Sequence, residues 1–395
     1  MGAGVALLLT QAAPVAAIPA FARKYRVSCT LCHSAPPKLN EFGETFAGNG
    51  FELAPGAAPV DTVDTGDPLL VLPANLPLAV RMEAFAQLRT GVPDDATKVD
   101  LQTPWNIKLL SGGALGKKVS YYMYFFLGER GEVAGLEDAF LQFTDVAGTG
   151  ISLMVGQFQL SDPLFKRELR LGVEDYQPYR VRVGEARPDL TYERGLMATF
   201  SPWEGADVAT AVVNGAGLNT ASEQRVFDTD NLKNFAGRFS QSFGPLRIGA
   251  FGYFAQQEKP LAVDEILIWG PDATLALGTA GELNVQYLRR TDDDPFFVGE
   301  DVAEETTVDA AMAEVVLWPQ GPTGRLFFTG IFNWISADEP LFSLRTGEAG
   351  LLEKYTYGAA GVSWLLQRNL RLAGEAGWDF ETEGARLTVG LTAAF

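Results

Sequence analysis

The stretch that decides the fold is ARLTVGLTAAF, residues 385–395. Leu387, Val389 and Leu391 recur at every second position, and the residues between them, such as Thr388, are small or polar. Successive side chains of a β-strand point to opposite faces, so a period of two indicates a strand with one apolar face. The stretch is therefore predicted to be a β-strand.

The same alternation recurs along the chain from residue 78 onward, in sixteen segments. Most of them reach about ten residues, the length of a tilted strand that crosses a bilayer. The sequence therefore predicts a mainly β fold, a 16-stranded antiparallel transmembrane β-barrel. The predicted strands are 78–90, 104–113, 118–128, 136–146, 150–159, 191–201, 206–215, 233–243, 245–257, 262–278, 281–291, 307–318, 325–336, 354–366, 369–379 and 385–395.

The links between these strands support the same fold. Links that follow even-numbered strands are short, such as SGGALGK and PWEGA, whereas links that follow odd-numbered strands are mostly longer, such as residues 160–190. Outer-membrane barrels have short periplasmic turns and longer outer loops. The alternative is a secreted, soluble all-β protein, but so many exposed apolar faces would make such a protein aggregate.

Composition excludes some functions. The chain has a net charge of −18 and only one histidine, which makes it a poor nucleic-acid binder because phosphate contacts need clustered Lys and Arg. Residues 1–17 contain a short apolar run and the small-residue sequence Val15-Ala16-Ala17, which is typical of a secretory signal peptide. We therefore expect export and no nucleic-acid partner.

All cysteine and histidine in the chain lies in SCTLCH, residues 28–33. C-x-x-C-H is the attachment pattern of a c-type haem, in which Cys29 and Cys32 add to the porphyrin and His33 ligates the iron. A structural zinc site would need further Cys or His ligands, and a redox dithiol would normally lie in a βαβ context. The sequence therefore predicts one covalent haem c, with His33 as its metal ligand.

Other residues are candidates for the haem environment. Leu39, Phe42 and Phe46 share one face of a predicted helix, and we expect Phe42 and Phe46 to pack on the haem. A second histidine ligand is excluded within one chain. The distal ligand is then an inward-facing methionine, a local lysine, another weak donor, water or nothing. The candidate side chains are Met154, Met197, Met312, Lys24 and Lys38.

The residues around this motif read IPAFARKYRVSCTLCHSAPPKLNEFGETFAGNGFEL, residues 18–53. They resemble the fused cytochrome–porins, a family that includes outer-membrane iron oxidases of iron-oxidising bacteria. The resemblance implies a monohaem segment fused to a sixteen-strand barrel. This chain carries Lys24, Tyr25 and Arg26 where those oxidases carry Gln-Thr-Gly, so an electron donor other than Fe(II) stays open. The matching residues are Pro19, Phe21, Ala22, Arg23, Cys29, Cys32, His33, Pro37, Leu39, Phe42, Gly43, Phe46, Gly50 and Phe51.

The predicted organisation has four parts: a signal peptide at 1–17, a monohaem cytochrome segment at 18–53, a Pro-rich linker at 54–77 and the barrel at 78–395. A segment of this size fits inside a barrel that would otherwise enclose an aqueous channel. We expect the cytochrome segment to plug the lumen from the periplasmic side of a bacterial outer membrane.

This organisation predicts an electron-transfer protein and a possible Fe(II):cytochrome c oxidoreductase. Electrons from extracellular Fe(II) or another donor would pass through one haem to a periplasmic cytochrome or other carrier. Acidic outer loops would concentrate cations. Their carboxylates are Asp94, Asp95, Asp100, Asp292, Asp293, Asp294, Glu300, Asp301, Glu304 and Glu305.

A second hypothesis is a diffusion porin whose haem segment is only a structural plug. The link at 160–190 is basic, and a basic loop inside the lumen would select anions. The alternative is that this link is an ordinary outer loop. A haem sensor or an adhesin is a third possibility. The basic residues of the link are Lys166, Arg167, Arg170, Arg180, Arg182 and Arg187.

Overall fold

In the computed structural model, the described part of the chain begins with two short helices. Helix α1 is Ala20–Tyr25, a 3-10 turn follows at Cys29–Leu31, and helix α2 is Glu41–Gly48. The predicted signal peptide, residues 1–17, lies outside the described residues. The structure describes residues 20–54, 57–93, 96–133, 135–260, 262–299, 302–344 and 350–395.

Sixteen antiparallel strands form one closed barrel, in which each strand pairs with its neighbours in sequence and β16 pairs with β1. The predicted fold class is therefore confirmed. The strands are β1 Leu78–Arg89, β2 Val99–Gly116, β3 Val119–Glu129, β4 Gly135–Phe143, β5 Ser152–Gln159, β6 Tyr192–Phe200, β7 Ala206–Val213, β8 Asn234–Phe243, β9 Leu246–Lys259, β10 Ala262–Ala276, β11 Gly281–Asp292, β12 Thr306–Leu317, β13 Leu326–Ala337, β14 Lys354–Gln367, β15 Leu370–Asp379 and β16 Gly384–Ala394.

The barrel wall turns its apolar face outward. In β16, Leu387 is 47% exposed whereas the neighbouring Thr388 is 1% exposed. The same contrast recurs around the wall, where large apolar side chains such as Leu267 and Trp364 are exposed and polar ones such as Asn333 are buried. An outward apolar belt with a polar interior is the arrangement of a barrel whose solvent is lipid.

Strand β2 differs from its predicted start at residue 104. It begins at Val99, which pairs with Leu88 of β1. The proline that marked the predicted boundary, Pro104, lies where the register between the two strands shifts. Pro is tolerated in a sheet at such a bulge because no ladder hydrogen bond needs its missing N–H. The hairpin therefore continues outward past the proline.

Links that follow even-numbered strands form one rim of the barrel, which we call the short-turn rim. Residues 201–205 and 277–280 are typical of these links. The opposite rim carries longer links, although Lys259 and Ala262, which bound one of them, are nearly adjacent. Among the described residues, no helix is long and apolar enough to cross a bilayer.

The longest link, residues 160–191, folds into the barrel, and we call it the lumen segment. Its Tyr176 and Tyr179 are buried in a cluster with wall side chains such as Phe251 and Ile268. Its Arg182–Val183 pairs with Phe342–Ser343 from the link between β13 and β14. The wall and the lumen segment therefore share an apolar core inside the barrel.

The Pro-rich stretch before β1 contains a short antiparallel pair, Thr62–Val63 with Leu72–Pro73. Pro73 ends this pair and Leu78 begins the barrel wall. The described part of this stretch therefore connects the helical segment to the first barrel strand and contributes no strand to the barrel.

Candidate functional site

The C-x-x-C-H motif forms a tight local turn. The Ser28 hydroxyl accepts a hydrogen bond from the Thr30 N–H at 3.3 Å, which caps the 3-10 turn. The His33 N–H then donates to the Cys29 carbonyl at 3.0 Å. Both cysteines are free thiols and both are partly exposed. The turn therefore brings two thiols and one imidazole into a single short loop.

The imidazole is oriented by the backbone that follows it. His33 Nδ1 lies 2.8 Å from the Pro37 carbonyl oxygen and 3.3 Å from that of Lys38. A carbonyl only accepts, so Nδ1 carries the proton and Nε2 keeps its lone pair. Burial lowers the pKa of His33, although the two carbonyls act in the opposite direction. The ring is therefore neutral at pH 7, with one nitrogen available to a metal.

This donor set fits a covalent haem. Two accessible thiols and an imidazole whose Nδ1–H is bonded to a carbonyl are the groups that attach haem c and hold its iron. Within the described ranges, no three Cys, His, Asp or Glu side chains are grouped to hold a metal ion. Burial raises the pKa of Cys29 and Cys32, which is the opposite of the lowered pKa of a reactive dithiol.

Helix α2 is fixed against this loop by Asn40. The Asn40 side chain accepts from the Gly43 N–H at 2.9 Å and donates to the Leu31 carbonyl at 3.0 Å. The Asn40 N–H also donates to the Cys32 carbonyl at 2.9 Å. Asn40 therefore caps the helix and bonds the thiol-bearing turn with the same side chain and backbone.

Gly43 allows the close contact between α2 and the motif. A Cβ atom at Gly43 would lie 2.1 Å from the Cys32 carbonyl oxygen. We expect Gly43→Ala to push α2 off the turn, to destabilise the segment by about 1–3 kcal/mol and to lower the yield of covalent haem. The yield is measured by haem staining relative to total protein.

Gly48→Ala in the same helix is the matched control. A Cβ atom there meets nothing within 4 Å, and alanine is the better helix former. Equal haem yields for the two variants would contradict the role assigned to the contact at Gly43.

The two phenylalanines predicted to pack on the haem differ in environment. Phe46 is 6% exposed and its ring packs against Phe21 at 5.4 Å and Tyr25 at 5.6 Å. Phe42 is 38% exposed. The side chain of Phe46 is therefore used in the packing of α2 on α1. Contact with a haem stays a prediction for both residues, and Phe42 has the more accessible side chain.

Aromatic stacking connects the helices to the wall. Phe21 stacks on Phe51 at 4.9 Å between ring centroids, and Phe51 stacks on Tyr122 of β3 at 5.1 Å. Gln142 of β4 donates to the Gly48 carbonyl at 2.8 Å. The helical segment, residues 20–53, which we call the plug, therefore rests on the inner wall at β3 and β4.

Ion pairs connect the plug to the opposite wall. Lys38 Nζ lies 2.6 Å from Glu282 of β11 and 3.2 Å from Glu314 of β12. The Ala35 N–H donates to the carbonyl of Pro322, which lies in the short-turn rim, at 3.4 Å. The motif is therefore held at that rim from two sides.

The five candidates for the distal ligand are all engaged elsewhere. Lys24 pairs with Glu52 at 3.2 Å. Burial alone would lower the pKa of Lys38, but Glu314 and Glu282 raise it overall, so its amine stays protonated. Met197 and Met312 are buried in the apolar cluster around Tyr176, and Met154 packs against that cluster. The identity of the distal ligand stays a prediction.

The basic lumen segment is neutralised internally. Asp175 lies 2.5 Å from Arg167, 3.3 Å from Arg180 and 3.6 Å from Arg170. Burial alone would raise the pKa of Asp175, but the three guanidiniums hold it well below its usual range. Lys166 pairs with Glu44 of α2 at 2.5 Å. The segment lies in the lumen, as the interpretation of this link as a lumen loop predicts. Its charges, however, do not form an open anion filter.

The acidic loops opposite the short-turn rim are only partly available to cations. Asp292 is fully buried against Arg290 at 2.6 Å, and Asp294 accepts from the Val298 and Gly299 N–H groups. Asp100, Asp293, Glu304 and Glu305 are exposed. The predicted positions Asp94, Asp95, Glu300 and Asp301 lie outside the described residues.

No protein-family model and no curated protein sequence matches this chain. Solved structures do. An anion-selective porin from Comamonas acidovorans aligns at a TM-score of 0.57 and 10% identity, over 80% of this chain and 98% of that one. The outer membrane channel DcaP of Acinetobacter baumannii aligns at 0.54 and 12% identity, over 80% and 96%. Salmonella typhi OmpF, in complex with daunomycin, aligns at 0.53 and 10% identity, over 80% and 97%.

At these identities the similarity shows the fold alone, which is that of an outer-membrane β-barrel porin. It agrees with the outward apolar belt of the wall, and together the two support a position in a bacterial outer membrane.

Proposed function

We propose that the chain is an exported outer-membrane electron-transfer protein of the fused cytochrome–porin type. Cys29, Cys32 and His33 would hold one haem c, which would supply a one-electron couple between an extracellular donor, first of all Fe(II), and a periplasmic cytochrome or other carrier. The plug then faces the periplasm and the acidic loops face the outside. The observation that carries the proposal is the oriented His33 beside two free thiols at the short-turn rim.

Bound haem c supplies a one-electron couple, so one Fe(II) gives one electron and the periplasmic carrier takes one. The chain's own residues hold and orient the site. Pro37 fixes the His33 tautomer through its carbonyl, and Asn40 keeps α2 against the thiol turn. Tyr176 and Tyr179 of the lumen segment are buried in an apolar core with side chains of the wall.

Anaerobic addition of Fe(II) tests this proposal. We expect the chain, produced with a c-type maturation system and purified in detergent, to show a covalent haem spectrum that Fe(II) converts to the reduced form. Reduction by dithionite but not by Fe(II) would support electron transfer as the function and would show that iron is not the donor. A wild-type protein with no covalent haem would reject the proposal.

A diffusion porin is the second candidate, because the solved structures that share this fold include porins and an outer-membrane channel. The packed lumen segment argues against a wide channel, because it forms a buried core with the wall. Single-channel conductance in a planar bilayer separates the two functions. Steady conductance by a haem-free protein would support the porin.

A further inference from the structure

Arg371 is a buried cation whose charge has no direct partner. It lies on the inner face of β15 and is 7% exposed. Its Nη1 donates to the Leu171 carbonyl at 3.2 Å and its Nη2 donates to the Thr392 hydroxyl at 3.4 Å. In the part of the chain that the structure describes, its Nε has no hydrogen-bond partner and no carboxylate lies within ion-pair distance.

A second guanidinium approaches from the lumen segment. Arg170 directly precedes Leu171, so it lies beside the carbonyl that Arg371 contacts. Its Nη1 donates to the Arg167 carbonyl at 2.7 Å, and among the described residues its buried Nε also lacks a partner. Arg81 and Arg170 repel the charge of Arg371, whereas Glu83 and Glu375 attract it without direct contact. Positive charge from two facing elements therefore converges at this point.

The neighbouring carboxylates already bind other groups. Glu83 binds Arg81 and the Asn106 amide. Glu375 accepts from the Val173 N–H at 2.7 Å and the Glu174 N–H at 3.0 Å. Asp175 is shared by three arginines. A buried charge without a counter-charge costs several kcal/mol, and the guanidinium fork matches a carboxylate in shape and charge.

We infer that Arg371 and Arg170 form a binding site for a carboxylate or a similar oxyanion in the barrel lumen. The site is next to the plug, because Leu171 packs in one buried cluster with Ala35. The anion therefore has two sources with the same chemistry. One is a propionate of the covalent haem, which rests on the proposed function, and the other is a small anion from solution, which does not.

The test uses the full-length Cys29→Ser/Cys32→Ser protein, which has no covalent haem. Sodium acetate is titrated against chloride at constant ionic strength, and the thermal unfolding temperature is recorded. We expect saturable stabilisation by acetate that becomes about tenfold weaker in Arg371→Gln, since a bond to a charged group is lost. Arg371→Lys, which keeps the charge without the fork, should give an intermediate affinity.

The control is Arg289→Gln, because Arg289 is partly exposed and pairs with Asp309 at 3.7 Å on another part of the wall. Its acetate response should equal that of the parent. The absence of saturable stabilisation, or an equal response in all variants, would overturn the inference.

The haem-loaded protein identifies the source of the anion. A propionate in the site would abolish the acetate response of the haem-loaded protein, and Arg371→Gln would lower its midpoint potential. An acetate response that persists unchanged after haem attachment assigns the site to a solution anion. If haem never attaches, the proposed function fails while the acetate titration still decides the anion site.

Discussion

Replacing Cys29 and Cys32 by serine is expected to give a folded barrel that carries no covalent haem. A hydroxyl does not form the thioether that links haem c to the chain, so attachment should fall from complete to undetectable. The barrel should persist because its wall is closed by hydrogen bonds between strands that do not involve the motif. Haem staining of the denatured protein measures attachment, and circular dichroism measures the β structure.

Thr30→Ala is the matched control for this experiment. Thr30 lies between the two cysteines, and its loss removes only a hydroxyl contact with Ser28. The alanine variant should keep its haem. Covalent haem in the double serine variant would show that the cysteines are not the attachment points.

Lys38→Met is expected to release the plug from the barrel wall. The change leaves Glu282 and Glu314 facing each other without their cation, and Glu314 is almost fully buried. Breaking such a pair costs about 3 kcal/mol, the lower end for buried pairs, because Lys38 and Glu282 keep some solvent contact. The change is measured as the free energy of unfolding in detergent and as the rate of proteolysis of the plug.

The pH dependence of this contact follows from the raised pKa of Lys38. A lysine whose pKa is raised on folding contributes its full stabilisation below its unfolded pKa, about 10.4, and loses it as the pH rises above its folded pKa. The difference between Lys38→Met and wild type should therefore be constant around pH 7 and shrink only at strongly alkaline pH.

Lys118→Met is the control, because the ion pair between Lys118 and Asp145 is well exposed. Such surface pairs contribute about 0–1 kcal/mol. The double variant Lys38→Met/Glu314→Gln should recover part of the loss, because it removes one of the two stranded carboxylates. If Lys38→Met destabilised the protein no more than Lys118→Met, the anchoring role of Lys38 would be wrong.

The wall was predictable from local sequence because the alternation within each segment shows which of its side chains share a face. Alternation in ARLTVGLTAAF places Leu387 and Val389 on one face without reference to any other segment. Sixteen predicted segments correspond to the sixteen strands, and the largest difference, the start of β2, arises at a proline in a bulge. Local periodicity does not reveal such a register shift.

The lumen segment was not predictable in the same way. Its basic residues predict an anion filter or an outer loop, whereas in the structure Asp175 pairs with three of them. That arrangement depends on the fold of the whole segment and produces no periodic pattern in the sequence. In the plug, the cap formed by Asn40 has a local signal, since an Asn before an acidic first helical turn is typical of a helix start. The ion pairs of Lys38 with β11 and β12 have no local sequence signal, because the partner residues are far along the chain.

The seam of the barrel, where β16 pairs with β1, has a consequence for how the protein is made. A ring of hydrogen-bonded strands has no entrance through its side. Threading the lumen segment through the mouth of a finished ring would carry Asp175 and its arginines past apolar side chains before they were paired, at a cost of several kcal/mol. We therefore expect biogenesis to proceed by wrapping, with the last strand shutting the wall around contents that are already folded.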